Sequence, residues 1–405
     1  MSEIKFSIIV PTYNRCHVLI SSIKTVLSQN YSNFELIISD NHSTDNTHEY
    51  IQSIDDKRLV YTKPDRHCCM AMNWEHGISV AQGDYIFVLG DDDGLVEGAL
   101  SEAAKIIKVH TATAICWKKS IYTWPNSASK PNTAWINTKK KSYRLNSKLM
   151  LYLLAKGYCH YSYLPTLYNS FIHIGVIENI RSKSDKSVFF ASNTPDIYSG
   201  IVVASAVDSY IYSEQSFSVS GSSNASNGNA IYLEGATFSE FFDKEEISWH
   251  KSVPALAGII DSSIAEAYLQ AYDLNLTKGI SFNSRRYISR IKRAVGQLSR
   301  KDHRDWAIER LKDFSLITTS EYRSMIDNKL LIDNPPDTTA NLAPQFVQGS
   351  GELIIDCTQF DITNINDLVN FMGKLLPIGD VSKDPVRGNI SFLFFMTLKK
   401  YLMQK

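Results

Sequence analysis

The sequence predicts an α/β protein with a mostly parallel sheet in its N-terminal half, followed by a mainly helical C-terminal region. Short, continuous apolar runs alternate with segments of helical spacing through the first hundred residues, as in parallel sheets that are covered on both faces. Beyond residue 243, apolar residues recur mainly at helical spacing. The 405 residues are 44% hydrophobic and 21% charged, which excludes a disordered or fibrous chain.

The first four strands follow from the apolar runs. They are predicted over 6–10, 34–38, 58–61 and 84–89, and the helices between them over 17–29, 46–54 and 70–81. In parallel sheets, ligands bind beyond the carboxyl ends of the strands. Polar clusters stand at such ends at 12–15, 40–45 and 91–93, so these clusters are the first candidates for a functional site.

The rest of the chain divides by composition. Residues 115–143 are irregular in pattern, and a short strand from Phe217 leads into a Ser/Asn/Gly loop at 221–229. Further helices are predicted over 147–156, 196–214, 254–273, 284–299, 302–313, 319–331 and 365–376, with a strand at 353–356. Because Pro and Gly are frequent there, 333–352 is predicted to be a linker. We therefore expect a domain at 1–243, a helical basic region at 244–332, the linker, and an accessory segment at 353–405.

Charge and cysteine usage exclude other classes. The 42 Lys and Arg residues balance 42 Asp and Glu residues, so no overall field draws the chain to nucleic acid. The six cysteines form no CxxC pair, which argues against a zinc site and favours reduced thiols in the cytoplasm. No apolar run approaches the roughly 18 residues of a membrane-spanning helix, so no span is expected.

Asp91, Asp92 and Asp93 stand together at a predicted strand end. Adjacent carboxylates repel one another, and keeping all of them ionised requires a countercharge. Mg²⁺ and Mn²⁺ bind one or two carboxylates and complete their shell with substrate phosphates and water. The triplet therefore predicts a divalent-cation site, with a solvated acidic turn as the alternative.

Two other polar loops suit a nucleotide. Asp40, at the end of the second predicted strand, can accept a hydrogen bond from a base N–H or a ribose hydroxyl. The segment PTYNR at 11–15 supplies a fixed turn, a ring that can stack on a base, and a cation. Ordinary turn chemistry also explains these residues, and that alternative stays open.

Taken together, the loops resemble those of family 2 glycosyltransferases, which have the Rossmann-like GT-A fold. The matching motifs are VPTYNR at 10–15, SDNHSTD at 39–45, NWEHGISVAQGDYIFVLGDDD at 73–93 and TPDIYSG at 194–200. Gly90 stands where the family usually has Asp or Ser. The resemblance implies a metal-dependent, inverting enzyme that moves a sugar from a nucleotide-diphosphate donor, most often a UDP-sugar. The acceptor would be a hydroxyl of a bacterial surface glycan such as O-antigen, lipopolysaccharide or capsule.

The resemblance also implies roles for single residues. The nucleotide would be bound by Pro11, Thr12, Tyr13, Arg15, Asp40, Arg66, Asp91 and Asp92. The metal, Mn²⁺ or Mg²⁺, would be held by Asp93 and Asp92, and which of these two is the main ligand stays open. As a Lewis acid, the metal would stabilise the charge on the departing diphosphate.

Asp196, in the motif TPDIYSG, would be the general base that takes the proton of the acceptor hydroxyl. It stands at the start of a predicted helix, where the helix dipole stabilises its charged form. The alternative is that Asp196 only caps this helix, and the two roles are compatible.

A basic stretch runs from Lys278 to Lys301, with eight Lys and Arg and no acidic residue. Apolar residues recur within it at helical spacing, at Ile288, Ile291, Val295 and Leu298. Such a helix can lie on anionic headgroups, and 392–403 could add a second contact. The alternative is a helix packed on the catalytic domain. Because many bacterial family members use polyprenyl-diphosphate-linked glycan acceptors, a peripheral contact with the inner face of the plasma membrane is one expectation.

Two other classes of function stay open. A sugar nucleotidyltransferase would normally carry a glycine-rich basic loop after the first strand, and PTYNR is not such a loop. A non-catalytic sugar-binding protein would be expected to lose its acidic residues, whereas Asp40, Asp91–Asp93 and Asp196 are all present. The sequence does not specify the donor sugar, the acceptor or the linkage.

Overall fold

The computed structural model describes residues 3–127, 130–184, 187–224, 226, 247–256, 258–277, 279–298, 301–314, 345–347, 351–379 and 388. The strands of this part of the chain are β1 (Phe6–Thr12), β2 (Phe34–Asp40), β3 (Leu59–Thr62), β4 (Tyr85–Val88), β5 (Gly94–Leu95), β6 (Ala114–Trp117), β7 (Ser120–Thr123), β8 (Thr133–Asn137), β9 (Ser142–Asn146), β10 (Ser170–His173), β11 (Ser209–Ser213), β12 (Ser218–Ser222), β13 (Gln345–Val347) and β14 (Glu352–Asp356). The helices are α1 (Cys16–Leu27), α2 (Thr47–Gln52), α3 (Met70–Ser79), α4 (Ala99–His110), α5 (Ser147–Ala155), α6 (Ile174–Arg181), α7 (Pro195–Ala206), α8 (Ile260–Asp273), α9 (Ser284–Gly296), α10 (Lys301–Asp313) and α11 (Ile365–Leu375).

The larger sheet has the strand order β3-β2-β1-β4-β10-β6-β11-β9. Strands β1 to β4 pair in parallel, as predicted, and β10 is inserted antiparallel to both β4 and β6. Because β10 opposes both neighbours, β6 runs in the same direction as β4. The carboxyl ends of β1, β2, β4 and β6 therefore lie along one edge of the sheet.

Helices cover both faces of this sheet, which explains why its strands are continuous apolar runs. Ile9 and Ile86 point to the face that is covered by α3, α5, α6, α7 and α8. Ile8 and Phe87 point to the opposite face, against α1 and α4. The alternation follows from the two-residue repeat of a strand.

A smaller sheet has the order β13-β14-β8-β7-β12-β5. Strand β14 pairs antiparallel with β8, and α11 packs on α1 and β5 through Ile365, Leu368 and Val369. Residues 352–375 thus share a sheet and a core with the N-terminal region, and part of the expected linker forms β13. The division into four segments stays a prediction. The helix predicted at 319–331 lies outside the described residues.

Two predictions about local structure were wrong. Residues 115–143 are not irregular, since they carry β7, β8 and parts of β6 and β9, in strands of four or five residues that are too short to give a clear pattern. The helix predicted over 196–214 ends at Ala206, and β11 follows. Val207 takes up an extended backbone, and Tyr210, Ile211 and Tyr212 favour a strand because aromatic and β-branched side chains fit a pleated surface.

Helix α9 carries the basic stretch, and its apolar side faces the protein. Ile291 and Val295 pack with Leu256, Ile259 and residues of α10, which all lie within the expected helical basic region. Tyr287 of the same helix donates its hydroxyl to the carbonyl oxygen of Leu154 in α5 at 2.7 Å. A contact of α9 with the membrane stays a prediction. Residues 392–403 lie outside the described part of the chain. Among the helices described, none is both long and apolar enough to cross a membrane.

Candidate active site

The loops that follow β1 and β2 lie side by side at one edge of the sheet. The amide of Asn41 donates to the carbonyl oxygen of Thr12 at 2.9 Å. Asn14, whose φ of 53° is in the left-handed region, donates its amide to Ser43 and accepts from the amide of Thr44 at 2.7 Å. These bonds join two of the three polar clusters predicted from the sequence.

Asp40 is fully buried at the end of β2. Its Oδ1 accepts from the amide of Ser43 at 2.8 Å, and its Oδ2 accepts from the hydroxyl of Tyr61 at 2.6 Å and lies 3.4 Å from Nζ of Lys63. Burial opposes the charge of Asp40, but the hydrogen bonds from Ser43 and Tyr61 and the charge of Lys63 outweigh it and hold the pKa below its usual value. Asp40 is therefore an ionised acceptor at the strand tip.

Three other predicted nucleotide residues lie in β1 and in the loops after β1 and β3. Tyr13 is 45% exposed, and its ring centroid lies 4.6 Å from that of His67. Arg66 is exposed in the loop after β3, and Pro11 is half-buried within β1. An exposed aromatic ring beside the β1 loop is open to stacking on a planar ligand.

The three aspartates after β4 are all buried, and Arg15 supplies a countercharge. One guanidinium nitrogen lies 2.7 Å from Oδ1 of Asp91, and the other lies 2.7 Å from Oδ2 of Asp92. Thr12 donates its hydroxyl to Oδ2 of Asp91 at 2.8 Å. The structure therefore brings Thr12, Arg15, Asp91 and Asp92 into direct contact.

The loop predicted at 221–229 reaches the same carboxylates in its described residues. The amide of Gly221 donates to Oδ1 of Asp93 at 2.7 Å, and the hydroxyls of Ser223 and Ser226 donate to Oδ2 of Asp92. A Cβ atom on Gly221 would stand 1.8 Å from the carbonyl oxygen of Asp92. Only glycine permits this close approach of the two backbones.

Burial shifts the protonation of the triplet. It raises the pKa of Asp93 to about 6, where Lys119 and the amide of Gly221 oppose the rise. It also raises the pKa of Asp91, and there Arg15 is the main opposing charge. Arg15 alone does not offset the charge of three buried carboxylates, so the site favours a further cation.

The donor set fits a hard divalent cation. Within the described chain, every hydrogen bond that Asp92 accepts on its side chain ends on Oδ2, which leaves Oδ1 for a metal. Asp93 offers a second carboxylate. Since no group of three or more His, Cys, Asp or Glu among the described residues is arranged to hold a metal, substrate phosphates and water would have to complete the shell.

Asp196 lies in the first turn of α7, after Pro195. Its Oδ2 accepts from the hydroxyl of Tyr161 at 3.3 Å. Burial raises the pKa of Asp196, and the amide of Ile197 and the charge of Lys119 oppose the rise. A carboxylate with a raised pKa that remains half-exposed is suited to accept a proton.

Lys119 and Tyr168 were not found from the sequence. Lys119 follows β6, and its Nζ lies 3.6 Å from the centre of the Tyr168 ring. Its charge acts on both Asp93 and Asp196. The apolar run AICW at 114–117 could have indicated β6 and the polar end that follows it, but the segment was interpreted as irregular.

Comparison with known proteins finds relatives of the N-terminal part of this chain. Residues 7–163 match the family model described as glycosyl transferase family 2. A Campylobacter jejuni protein named GalNAc(5)-diNAcBac-PP-undecaprenol beta-1,3-glucosyltransferase is 37% identical over 100 residues, which are 24% of this chain and 32% of that protein. The Escherichia coli protein UDP-Glc:alpha-D-GlcNAc-diphosphoundecaprenol beta-1,3-glucosyltransferase WfaP is 35% identical over 96 residues, 24% of this chain and 38% of that protein.

Among solved structures, S. aureus TarS 1-349 in complex with UDP-GlcNAc is 13% identical, with a TM-score of 0.45, over 80% of this chain and 90% of that chain. For the two curated relatives, this chain spans only about a third of their length, 32% and 38%. The matched residues carry β1, β2 and β4 with the polar loops that follow them. Residues 7–163 of this chain are therefore similar to glycosyl transferase family 2.

Proposed function

We propose that this chain is a metal-dependent, inverting glycosyltransferase that moves a sugar from a nucleotide-diphosphate donor to a hydroxyl of a growing bacterial surface glycan. The UDP-Glc in the name of the WfaP relative supports a UDP-sugar as the donor. The names of both curated relatives include an undecaprenol-linked glycan, which supports a polyprenyl-diphosphate-linked acceptor. O-antigen or capsule would be the product class.

The observation that carries the proposal is a single contact network at one edge of the sheet. Arg15, from the loop after β1, bridges Asp91 and Asp92 at 2.7 Å. The loop after β2, which begins at Asn41 directly beyond Asp40, is hydrogen-bonded to the end of β1. This network supports a nucleoside site at Asp40 and a metal site at Asp92 and Asp93. Asp196 is proposed as the base because the charge of Lys119 acts on both Asp93 and Asp196.

The nucleotide is proposed to lie along the loops after β1 and β2. Asp40 would accept from the base, with Tyr13 stacking on it and Pro11 and Thr12 shaping the turn beneath it. Asp91 and Asp92 would contact the ribose, and Arg15 and Arg66 would contact the diphosphate. Because Asp40 stays ionised, it is an acceptor only, which suits the imide N–H of uracil.

Asp92 and Asp93 would hold Mn²⁺ or Mg²⁺. Bound there, the ion would stabilise the negative charge of the departing diphosphate. The chain itself holds these carboxylates in place through the hydrogen bonds from Gly221, Ser223 and Ser226. Fixed carboxylates need no reorganisation during the reaction, which is the usual source of electrostatic catalysis.

Asp196 is proposed to accept the proton of the acceptor hydroxyl as that oxygen attacks the anomeric carbon. Tyr161 donates to its Oδ2 and so fixes the orientation of the carboxylate. The base and the metal-binding carboxylates come from different parts of the chain. In the single displacement that we propose, the acceptor would attack opposite the leaving group and invert the anomeric centre.

A peripheral contact with an anionic membrane is also proposed, with the protein on the cytoplasmic side. The outer side of α9 exposes Arg285 and Arg293. Arg286 lies 4.4 Å from the ring centre of Tyr158, which is 59% exposed. Each basic residue near an anionic surface contributes about 1 kcal/mol, so binding would rest on charge rather than on an apolar face.

The test is a transfer assay with purified protein, Mn²⁺ and a set of UDP-, GDP- and dTDP-sugars, with undecaprenyl-diphosphate-linked N-acetylhexosamine as the acceptor. We expect acceptor-dependent release of a nucleoside diphosphate from one donor, loss of that release in EDTA, and a product whose anomeric configuration is opposite to the donor's. Formation of an NDP-sugar from a nucleoside triphosphate and a sugar 1-phosphate would instead show a nucleotidyltransferase.

A further inference from the structure

The edge of the sheet that carries the aspartate triplet also carries Lys119. Strands β4, β10 and β6 are neighbours, and each ends or begins with a polar side chain at this edge. The triplet follows β4, Tyr168 precedes the antiparallel β10, and Lys119 follows β6. Topology alone therefore brings these three groups together, although they are up to 77 residues apart in sequence, from Asp91 to Tyr168.

The ammonium group of Lys119 is held but not neutralised. It lies 3.6 Å from the centre of the Tyr168 ring, a cation–π contact that fixes its position. The side chain is half-buried. Among the described residues, no carboxylate oxygen lies within 4.0 Å of Nζ and no acceptor forms a hydrogen bond with it, although Asp93, Asp196 and Asp92 all act on its charge.

Other cations of this region are paired. Arg15 forms ion pairs with Asp91 and Asp92, and Lys118, the neighbour of Lys119 in the chain, lies 2.6 Å from Oε1 of Glu352. An ammonium group carries three donors and no acceptor. Leaving these donors unsatisfied in a half-buried place is costly unless a ligand supplies the acceptors.

We propose that Lys119 binds the diphosphate of the sugar donor, as a direct contact between its ammonium group and phosphoryl oxygens. The inference rests on the proposed function, since it names the part of the donor that this residue touches. The charges of Asp93, the proposed metal carboxylate, and Asp196, the proposed base, both act on Lys119. In the proposed reaction, the bond between the sugar and the diphosphate lies between these two carboxylates. An ammonium group at that place would also offset the charge that develops on the leaving oxygen.

Another role for the same residue would be to act through Asp196 alone. In that case the ammonium group would set the charge state of the base and would not touch the nucleotide. The two roles differ in a measurable way, because a contact with phosphoryl oxygens changes the affinity for a nucleoside diphosphate in the absence of any turnover. A role through Asp196 changes only the pH profile of turnover.

The experiment measures binding by titration calorimetry in Mn²⁺, with UDP, GDP, dTDP and CDP and with the matching nucleosides. The Lys119→Met variant keeps the length of the side chain and can pack on Tyr168, but it has no charge. We expect Lys119→Met to bind the preferred diphosphate at least about tenfold more weakly, the loss of one charge-assisted hydrogen bond, and to bind the nucleoside as the unaltered protein does. Lys119→Arg should recover part of the affinity.

Lys118→Met is the matched control, since it removes a neighbouring charge that is paired with Glu352, and its affinities should stay unchanged. Equal diphosphate affinity in Lys119→Met and the unaltered protein would overturn the inference and leave the proposed function standing. If the unaltered protein bound none of the four diphosphates, the proposed function would fail, and the inference with it. Thermal unfolding of each variant identifies any loss of affinity that is due to misfolding. If Lys119→Met is misfolded, the diphosphate affinity of Lys119→Arg decides whether the inference holds.

Discussion

Replacing Asp196 with asparagine should lower turnover by about 10²- to 10⁴-fold, the usual contribution of a positioned general base. Asparagine keeps the shape of the side chain and can still accept from Tyr161, but it cannot take up a proton. Binding of the nucleotide should be unchanged, because no contact joins Asp196 to the loops after β1 and β2 within the described residues. Steady-state kinetics and calorimetry on the same preparation measure the two effects separately.

The pH dependence of turnover tests the same role of Asp196. Burial raises the pKa of Asp196 above its usual value, and the base acts only in its ionised form. Turnover should therefore fall as the pH is lowered through this raised pKa, and that acidic limb should be absent from the residual activity of Asp196→Asn. Full turnover in the variant would show that Asp196 only stabilises the start of α7.

Replacing Arg15 with methionine should lower the free energy of unfolding by about 3–5 kcal/mol in the absence of metal. The change leaves Asp91 and Asp92, which are 3% and 4% exposed, without the guanidinium group that bridges them. Buried carboxylates without a countercharge are strongly destabilising. Urea unfolding, followed by the tryptophan fluorescence of the core, measures the change.

The matched control for Arg15 is Arg285→Met, which removes a basic residue from an exposed position on α9. Exposed substitutions usually change stability by about 0.5 kcal/mol or less. Adding Asp92→Asn to Arg15→Met should recover part of the loss, because it removes one of the uncompensated charges. An Arg15→Met protein as stable as the unaltered one would contradict the role of Arg15 as the countercharge of Asp91 and Asp92.

The part of the fold that was predicted from sequence is the part with long, buried strands. The runs FSIIV and FELII are apolar at all positions except Ser7 and Glu35, because helices cover both faces of the sheet. These two polar side chains are buried and hydrogen-bonded to each other. Each run lies within the strand observed, Phe6–Thr12 and Phe34–Asp40. Two strands of the smaller sheet were predicted, at 353–356 and from Phe217, but β5, β7, β8 and β13 were missed because they have only two to five residues. The smaller sheet also pairs residues far apart in the chain, such as Ile355 and Ala134, and a local pattern does not record such pairing.

The part of the site that was predicted is the part that follows the recognised strands. Thr12, Arg15, Asp40 and the triplet stand directly after strands, so their common edge followed from the order of the elements. Lys119 was missed because β6 was not recognised. Tyr168 was missed because it precedes an antiparallel strand, and its position depends on the insertion of β10 between β4 and β6.

The most direct test of the central claim is the effect of Mn²⁺ on the binding of UDP. Asp92 and Asp93 are proposed to hold a divalent cation that contacts the diphosphate. Calorimetry should therefore show at least about tenfold tighter binding of UDP in Mn²⁺ than in EDTA, a difference of about 1.4 kcal/mol. The double variant Asp92→Asn, Asp93→Asn should show no such difference. Equal affinity of the unaltered protein under the two conditions, or a metal effect that persists in the double variant, would contradict the account.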